Sequence, residues 1–225
     1  MKLPTILASP SLNPRVINAG EECLAHNKIQ RNLSADRVVL LVHDMQNYWV
    51  DLYVDRAPLV ANISSLVSTF RNARLPVFFC RGERAKSRFE RGLGLTVWGD
   101  GLNAAHVRDE DCQIITDLMP RADEYVIEKP RHSAFFQKEL EPTLRKMNRD
   151  QVIVCGVFAH HGVMVSCIDG YMRNFQMTMV ADALGDYSEP EHLDHLLRAN
   201  HAIGNSFILK CSLYKGKQPF MPITD

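Results

Sequence analysis

Short runs of consecutive aliphatic residues recur along this chain, and each run is bounded by charged, polar or turn-forming residues. The first contains five aliphatic residues in a row, three of them β-branched, between Arg37 and His43. Runs of this length and composition are typical of strands that are covered on both faces. The pattern predicts strands at residues 38–42, 75–80, 124–128, 151–156, 177–181 and 206–209.

The segments between these runs place apolar residues at helical spacing. They predict helices over residues 59–72, 135–147, 163–173 and 190–203. Strands that alternate with helices in this way favour a parallel sheet, because a parallel connection needs a crossover. We therefore predict an α/β fold with three layers, α/β/α, around a mostly parallel, doubly wound sheet of about six strands.

A chain of 225 residues without a linker-like shift in composition is expected to form one domain. We place that domain at residues 37–213. Residues 1–36 contain three prolines and are expected to form an arm laid over the domain, whereas residues 214–225 form a polar, proline-bearing tail.

Composition narrows the classes of partner. The chain has 26 basic and 26 acidic residues, so nothing favours a nucleic acid as partner. No apolar run reaches the length of a membrane span, and the amino terminus lacks a secretory core segment. The six cysteines are scattered without a CxxC pair, as reduced thiols are. These features together predict a cytoplasmic protein.

Charged side chains follow two of the predicted strands. Asp44 stands where the first strand ends, and Lys129 stands just past the third. Ligands of open α/β sheets bind outside the carboxyl ends of the strands, so both residues are candidates for chemistry. On this segment alone, a turn or helix-cap role for Asp44 is favoured over a catalytic one. The glycine-rich connection 81–106, which contains Trp98, is expected to be ordered and to cover a site.

Three stretches together resemble the isochorismatase-like hydrolases over about residues 37–210. They are His43-Asp44-Met45-Gln46, Lys129-Pro130-Arg131-His132-Ser133-Ala134-Phe135 and Gly156-Val157-Phe158-Ala159-His160-His161-Gly162. In that family, the cysteine hydrolases carry their nucleophile at the position held here by Gly162. The resemblance is therefore to the branch without this cysteine, which contains isochorismatases and the 2-amino-2-desoxyisochorismate hydrolases of phenazine biosynthesis.

The resemblance implies a hydrolase that cleaves the enolpyruvyl (vinyl) ether of isochorismate or a close analogue, in siderophore or phenazine biosynthesis. It implies Asp44 and Lys129 as catalytic residues, pyruvate and a dihydro-dihydroxybenzoate-type compound as products, a homodimer, and neither metal nor cofactor. The residues expected to bind the small-molecule substrate are Tyr48, Arg91, Trp98, His132, Phe158 and Gly162.

Four pocket positions depart from the branch. It typically has Gln, Trp, Tyr and Tyr where this chain has Gly82, Pro130, His132 and Phe158. These differences leave the identity of the enolpyruvyl substrate open. The protonation state of Asp44 is also open. A carboxylic acid needs apolar burial to stay protonated at neutral pH, whereas a charged Lys129 beside Asp44 would favour the ionised form.

Three other interpretations compete with this one. A cysteine-nucleophile amidase would need Cys155 or Cys167, which both lie in apolar surroundings typical of core thiols. A metal site would need the histidines at 160, 161, 192 and 195, without the aspartate-histidine pattern that nicotinamidases carry near residues 51–55. A non-catalytic binding protein on the same fold is the third.

Overall fold

The computed structural model describes residues 27–29, 32–203 and 206–207. Its centre is a six-stranded sheet in which all paired strands run parallel. The strands are β1 (Val38–His43), β2 (Val77–Gly82), β3 (Tyr125–Lys129), β4 (Gln151–Gly156), β5 (Gln176–Leu184) and β6 (Ser206–Phe207). Their order in the sheet is β3-β2-β1-β4-β5-β6.

Helices cover the two faces of the sheet. They are α1 (Asn47–Val50), α2 (Ala57–Asn72), α3 (Arg88–Arg91), α4 (Leu93–Trp98), α5 (Leu140–Lys146), α6 (Met164–Met172) and α7 (Glu189–Ala202). Short 3-10 turns at Gly101–Asn103, Glu110–Cys112, Thr116–Leu118 and Ala134–Phe136 and a wide turn at Ala159–Val163 complete the described elements.

Alternating side chains of β1 enter two separate cores. Val38, Leu40 and Val42 pack in the cluster that contains the apolar face of α2. Val39 and Leu41 pack in the cluster on the other face, together with residues of α5, α6 and α7. Because both faces are covered, every residue of β1 and β4 is buried, which explains their uninterrupted apolar sequences.

This architecture confirms the predicted α/β class and parallel sheet. Two elements differ from the predictions. The expected helix 135–147 is divided into a 3-10 turn and the shorter α5, because the backbone is extended at Gln137, with φ −73° and ψ 134°. Strand β5 continues three residues beyond 181, because it pairs with β4 as far as Leu184, which lies opposite Gly156.

The predicted arm and tail lie largely outside the described residues, and their boundaries stay predictions. Within the described part of the chain, no helix combines the length and the apolar character needed to cross a bilayer.

The strand order places a switch point between β1 and β4. Chain connections leave these two central strands in opposite directions, so a crevice opens at their carboxyl ends. The segment after β1 carries Asp44, and the segment after β4 leads to Gly162. Lys129 ends β3, two strands from β1. The fold therefore directs all three residues to one edge of the sheet.

Candidate active site

A cavity of about 760 Å³ opens at the carboxyl edge of the sheet. Its volume suits a small organic molecule. All eight residues singled out from the sequence line it: Asp44, Tyr48, Arg91, Trp98, Lys129, His132, Phe158 and Gly162. The structure thus brings together residues spread over almost 120 positions of the chain, while their individual roles stay predictions.

Asp44 stands at the floor of this cavity in an uncommon backbone conformation. Its φ is +51°, in the left-handed region, and its amide donates to the Cys80 carbonyl at 2.9 Å. Aspartate tolerates this region better than most residues, and such conformations concentrate at functional sites. The turn ends β1 and directs the carboxylate into the crevice.

Lys129 reaches Asp44 from the third strand. Neighbouring strands lie about 4.8 Å apart, so roughly 10 Å of sheet separates β3 from β1, and only a long side chain spans it. The Lys129 Nζ donates to Asp44 Oδ2 at 2.7 Å and lies 3.3 Å from the Arg131 carbonyl oxygen. The side chains of Lys129 and Asp44 are 4% and 15% exposed, so water screens this ion pair weakly.

The pair determines the charge of the carboxyl group. Burial alone would raise the pKa of Asp44, but the Lys129 ammonium and the His43 ring outweigh burial and lower that pKa to about 2. Asp44 is consequently ionised at neutral pH in the unliganded protein. The sequence left open whether burial or Lys129 determines the charge of Asp44, and in the structure Lys129 and His43 together outweigh burial.

The two carboxylate oxygens of Asp44 differ. Oδ2 accepts from Lys129 and lies 3.3 Å from His43 Nδ1, whereas Oδ1 is buried and has no hydrogen-bond partner among the described residues. Buried polar atoms are nearly always satisfied, so a carboxylate oxygen without a partner is unusual in a residue that lines a cavity.

His43 lies beneath the cavity floor and was not among the residues predicted from sequence. Its Nδ1 faces both the Val157 carbonyl oxygen, at 3.1 Å, and Asp44 Oδ2, and its Nε2 pairs with Ser166 Oγ at 3.0 Å. Burial lowers the pKa of His43, but Cys80 and the Asp44 carboxylate outweigh it and raise that pKa to about 9. The ring therefore keeps a proton on the nitrogen that faces Asp44.

Gly162 forms the wall next to this histidine. A Cβ placed on it would lie 2.4 Å from His43 Cε1 and 3.3 Å from the His132 carbonyl oxygen. The space that a side chain at position 162 would need is therefore occupied by an imidazole ring.

The connection between β2 and β3 covers the cavity with the short helices α3 and α4, as expected of the glycine-rich segment. Arg91 is held there by glycines. A Cβ on Gly94 or Gly101 would lie 2.8 or 2.7 Å from the guanidinium nitrogens, and Arg91 Nε donates to the Gly99 carbonyl at 3.0 Å. No carboxylate of the described residues forms an ion pair with Arg91. This half-buried cation is therefore available to an anionic ligand.

Aromatic rings form one side of the cavity. Trp49 meets Tyr48 and Phe158 edge to face, with ring centroids 4.6 and 5.9 Å apart. Phe158 also contacts Tyr187, at 4.5 Å between centroids. These contacts fix the orientation of the rings and make this wall largely apolar.

Two histidines form another part of the cavity lining. The rings of His132 and His161 lie 3.9 Å apart, and Trp98 contacts His161 at 5.2 Å. Burial and the His132 ring lower the pKa of His161 to about 4, and burial together with Lys129 lowers the pKa of His132. Both rings are neutral at pH 7, and each offers one donor and one acceptor to a ligand.

Several residues of the site escaped the sequence analysis. His161 was considered only as a metal ligand, and Tyr187 follows the end of β5, where a search of every strand end would have found it. Gln46 is fully buried and binds both the amide and the carbonyl of Gly82, at 2.7 and 3.0 Å. It fixes the point at which the covering segment leaves the sheet.

The two candidate thiols are poorly placed for nucleophilic chemistry. Cys155 lies within β4 and Cys167 within α6, and both side chains are fully buried. Burial raises the pKa of each thiol well above its ordinary value, so the reactive thiolate is disfavoured. Neither residue lines the cavity.

The candidate metal ligands are engaged separately. His160 pairs with Asp186, the buried His192 is 3.2 Å from the Ala181 carbonyl oxygen, and His195 bonds to the Glu191 carbonyl. Among the described residues, the one cluster of three potential ligands is His43, Asp44 and Cys80. In this cluster, the Asp44 carboxylate is already paired with the Lys129 ammonium, which lies where a metal ion would bind that carboxylate.

Comparison with known proteins agrees with this geometry. The model of the isochorismatase domain matches residues 38–206. The chain belongs to the isochorismatase family. It is 34% identical over 191 residues to enterobactin synthase component B of Escherichia coli, which covers 83% of this chain and 66% of that protein, so it spans about two thirds of that relative.

Other family members have similar length. The chain is 34% identical to a probable isochorismatase of Pseudomonas chlororaphis, over 81% of this chain and 87% of that protein. It is 36% identical to the phenazine biosynthesis protein PhzD1 of Pseudomonas aeruginosa, over 75% and 81%. A cysteine hydrolase structure from Pseudomonas syringae shares the fold with a TM-score of 0.72 at 22% identity, covering 83% of this chain and 95% of that one.

The electrostatic account of Asp44 predicts the effect of removing its cation. In Lys129→Met, burial acts against a weaker opposition, so the pKa of Asp44 should rise above that of wild type, whereas Lys129→Arg should keep it low. Carbon-13 NMR of labelled aspartate side chains, titrated with Asp44→Asn as the assignment control, measures this. An unchanged pKa in Lys129→Met would show that the ion pair does not set the charge of Asp44.

Proposed function

We propose that this protein hydrolyses the enolpyruvyl ether of isochorismate, or of its 2-amino analogue, to pyruvate and a dihydro-dihydroxybenzoate-type product. The observation that carries the proposal is the Asp44 and Lys129 pair, which shares one cavity with a free Arg91 and with glycine at position 162. The names of the relatives support the same reaction.

The chemistry follows from the bond that breaks. A vinyl ether resists hydroxide, but protonation of its terminal methylene carbon gives an oxocarbenium ion. Water adds to that ion, and the resulting hemiketal collapses to pyruvate and a ring alcohol. The protein must therefore place one proton donor against a carbon atom and admit one water molecule.

Asp44 is the residue we assign as this donor. Oδ2 is already held by Lys129 and faces His43, so a proton added to the carboxyl group is expected on the oxygen without a partner. Lys129 then has two tasks: it fixes the carboxyl group by its bond to Oδ2, and it attracts the negative charge of the substrate.

The substrate must supply part of the driving force for protonating Asp44. With a pKa near 2, protonation at pH 7 costs about 7 kcal/mol. A carboxylate about 4 Å away contributes on the order of 4 kcal/mol at an effective dielectric constant of 20. The electrostatic effect of the two carboxylates of isochorismate is therefore comparable to the cost of protonation, so the bound substrate would raise the pKa of Asp44 toward the working pH.

Arg91 is the group we assign to one of those carboxylates. Its guanidinium is planar, half-buried and without an ion-pair partner among the described residues, and its glycine-lined seat holds it over the cavity. We assign Tyr48, Phe158, Trp98 and His132, which all line the cavity, to contacts with the ring of the substrate.

A ligand-binding protein without catalysis is the second candidate. The ionised state of Asp44 favours it, because a carboxylate that stays ionised in the complex cannot donate a proton. The four departures from the branch, at Gly82, Pro130, His132 and Phe158, also alter the pocket. Turnover separates the two candidates.

Release of pyruvate tests the proposed reaction. Isochorismate and its 2-amino analogue are each incubated with the protein, and pyruvate is followed by coupling to lactate dehydrogenase. We expect turnover of at least one substrate, and none by Asp44→Asn. Tight binding of both compounds without pyruvate would establish the ligand-binding alternative instead.

Substitution of the acid gives a graded result. Asp44→Asn keeps the shape of the side chain but cannot donate a proton, so we expect kcat to fall on the order of a hundred- to ten-thousand-fold. Asp44→Glu should retain more activity than Asp44→Asn, because a longer acid still donates from a displaced position. Circular dichroism verifies that both variants fold. A kcat for Asp44→Asn above about a tenth of wild type would remove Asp44 from the mechanism.

The pH profile separates free from bound protein. The acid acts when protonated, so kcat/KM, which reports the free protein with its pKa near 2, should fall about tenfold per pH unit from pH 5 to 8. The profile of kcat reports the complex, where substrate carboxylates raise the pKa of Asp44, and should stay flat to higher pH. A flat kcat/KM between pH 5 and 7 would contradict the assignment.

The partners we propose are the small-molecule substrate and a second copy of this chain, with no nucleic acid, in the cytoplasm. Large apolar side chains that are exposed in the single chain, such as Phe89, Leu93 and Met172, support association. A closed two-fold dimer is the simplest arrangement.

Light scattering at micromolar concentration measures the assembly. The dimer has twice the chain mass of 25.6 kDa. A mass equal to that of one chain, in a preparation that is folded by circular dichroism, would refute the dimer without affecting the proposed reaction.

A further inference from the structure

We propose that His43 is the positioning residue for Asp44 and that its ring occupies the space which any side chain at position 162 would need. Residues 43 and 162 would then be coupled, so that the site accommodates either this histidine or a side chain at 162. The effect of His43 on turnover rests on the proposed function, whereas its coupling to Gly162 does not.

The steric part follows from one distance. A Cβ on Gly162 would lie 2.4 Å from His43 Cε1, closer than real Cβ atoms approach a neighbour. A flexible surface side chain would move aside at little cost. His43 is fully buried and bonded through both ring nitrogens, so its ring has no free direction in which to move.

The positioning role of His43 follows from the segments that its ring nitrogens contact. Nδ1 faces Asp44 Oδ2 and the Val157 carbonyl oxygen, which belong to the segments after β1 and β4. Nε2 pairs with the Ser166 hydroxyl of α6, and that hydroxyl accepts from the Ala134 amide, five residues after Lys129. One imidazole thus links the segments that carry Asp44, Gly162 and Lys129.

The histidine does not line the cavity and is not expected to touch the substrate. Its influence is on the carboxyl group: Nδ1 lies 3.3 Å from Oδ2, the oxygen to which Lys129 donates, so the two side chains together hold that oxygen in place. A displacement of the carboxyl group by about 1 Å is enough to lower a rate on the order of a hundredfold.

Thermal unfolding tests the coupling without any substrate. Gly162→Ala should lower Tm by on the order of 5 °C in the wild-type background, because the added methyl group overpacks a rigid site. His43→Asn keeps a nitrogen donor near the position of Nδ1 but lacks Cε1. In that background, Gly162→Ala should lower Tm by much less.

Gly170→Ala is the matched control. Its Cβ would lie 2.5 Å from Met177 Sδ and 2.8 Å from Phe135 Cε2, so it overpacks α6, the helix that follows Gly162, and the atoms it approaches do not belong to residue 43. It should lower Tm equally in both backgrounds. An equal loss from Gly162→Ala in both backgrounds, or no loss in either, would overturn the coupling. If His43→Asn fails to fold, a crystal structure of Gly162→Ala decides: the His43 ring must be displaced from the Val157 carbonyl.

Kinetics test the positioning role. His43→Val removes the ring nitrogen that lies 3.3 Å from Asp44 Oδ2, and kcat should fall on the order of a hundredfold with KM little changed. His43→Asn restores a nitrogen near that position and should recover most of that loss. Equal losses in the two variants, or a loss expressed mainly in KM, would overturn the positioning role. Because Tm is measured without substrate, the coupling can stand even if neither compound is hydrolysed.

Discussion

A lysine and an aspartate that are both largely buried meet at the carboxyl edge of the sheet, with 2.7 Å between Nζ and Oδ2. Removing one partner of such a pair leaves an uncompensated charge and typically costs about 3–5 kcal/mol of stability. The pair also fixes geometry, because it joins the ends of β3 and β1 across the intervening β2. The same ion pair therefore determines both the shape of the cavity floor and the charge of Asp44.

This arrangement has a chemical consequence. A pocket that only buried Asp44 would keep it protonated, but it would also leave the carboxyl group free to rotate. Lys129 and His43 instead hold one oxygen and lower the pKa, so the protein without ligand stores a carboxylate rather than an acid. In the mechanism we propose, the proton becomes available when negative charge enters the cavity, so the carboxylates of the substrate raise the pKa of Asp44 and take part in activating it.

The sequence predicted the layers of the fold and both charged residues, because each depends on local signals. Apolar runs are required for strands covered on two faces, and the residue after a strand marks the crevice. Arg91 and Trp98 came from resemblance. The seat of Arg91 between Gly94 and Gly101 needed coordinates, since it depends on how two short helices fold back on each other.

The contacts of His43 and Gln46 could not be predicted from the sequence. His43 looks like the last residue of a buried strand, and its ring contacts residues more than 100 positions away. Gln46 belongs to the same motif, yet its bonds to Gly82 and Cys112 give it a structural task that spacing does not reveal. The charge of Asp44 was equally out of reach, because burial and Lys129 act in opposite directions and only distances decide between them.

Proton uptake on ligand binding tests the central claim, that negative charge in the cavity converts Asp44 from a carboxylate to an acid. A suitable ligand is the analogue of isochorismate whose enolpyruvyl group is reduced to a lactyl ether, because it keeps both carboxylates and offers no carbon to protonate. Calorimetric titration at pH 6 in two buffers of different ionisation enthalpy counts the protons. Neutral histidines in the cavity can also take up protons, so Asp44→Asn is the reference. The account predicts that the wild type takes up more protons than Asp44→Asn by an amount approaching one per site. Equal uptake by the two proteins would contradict it.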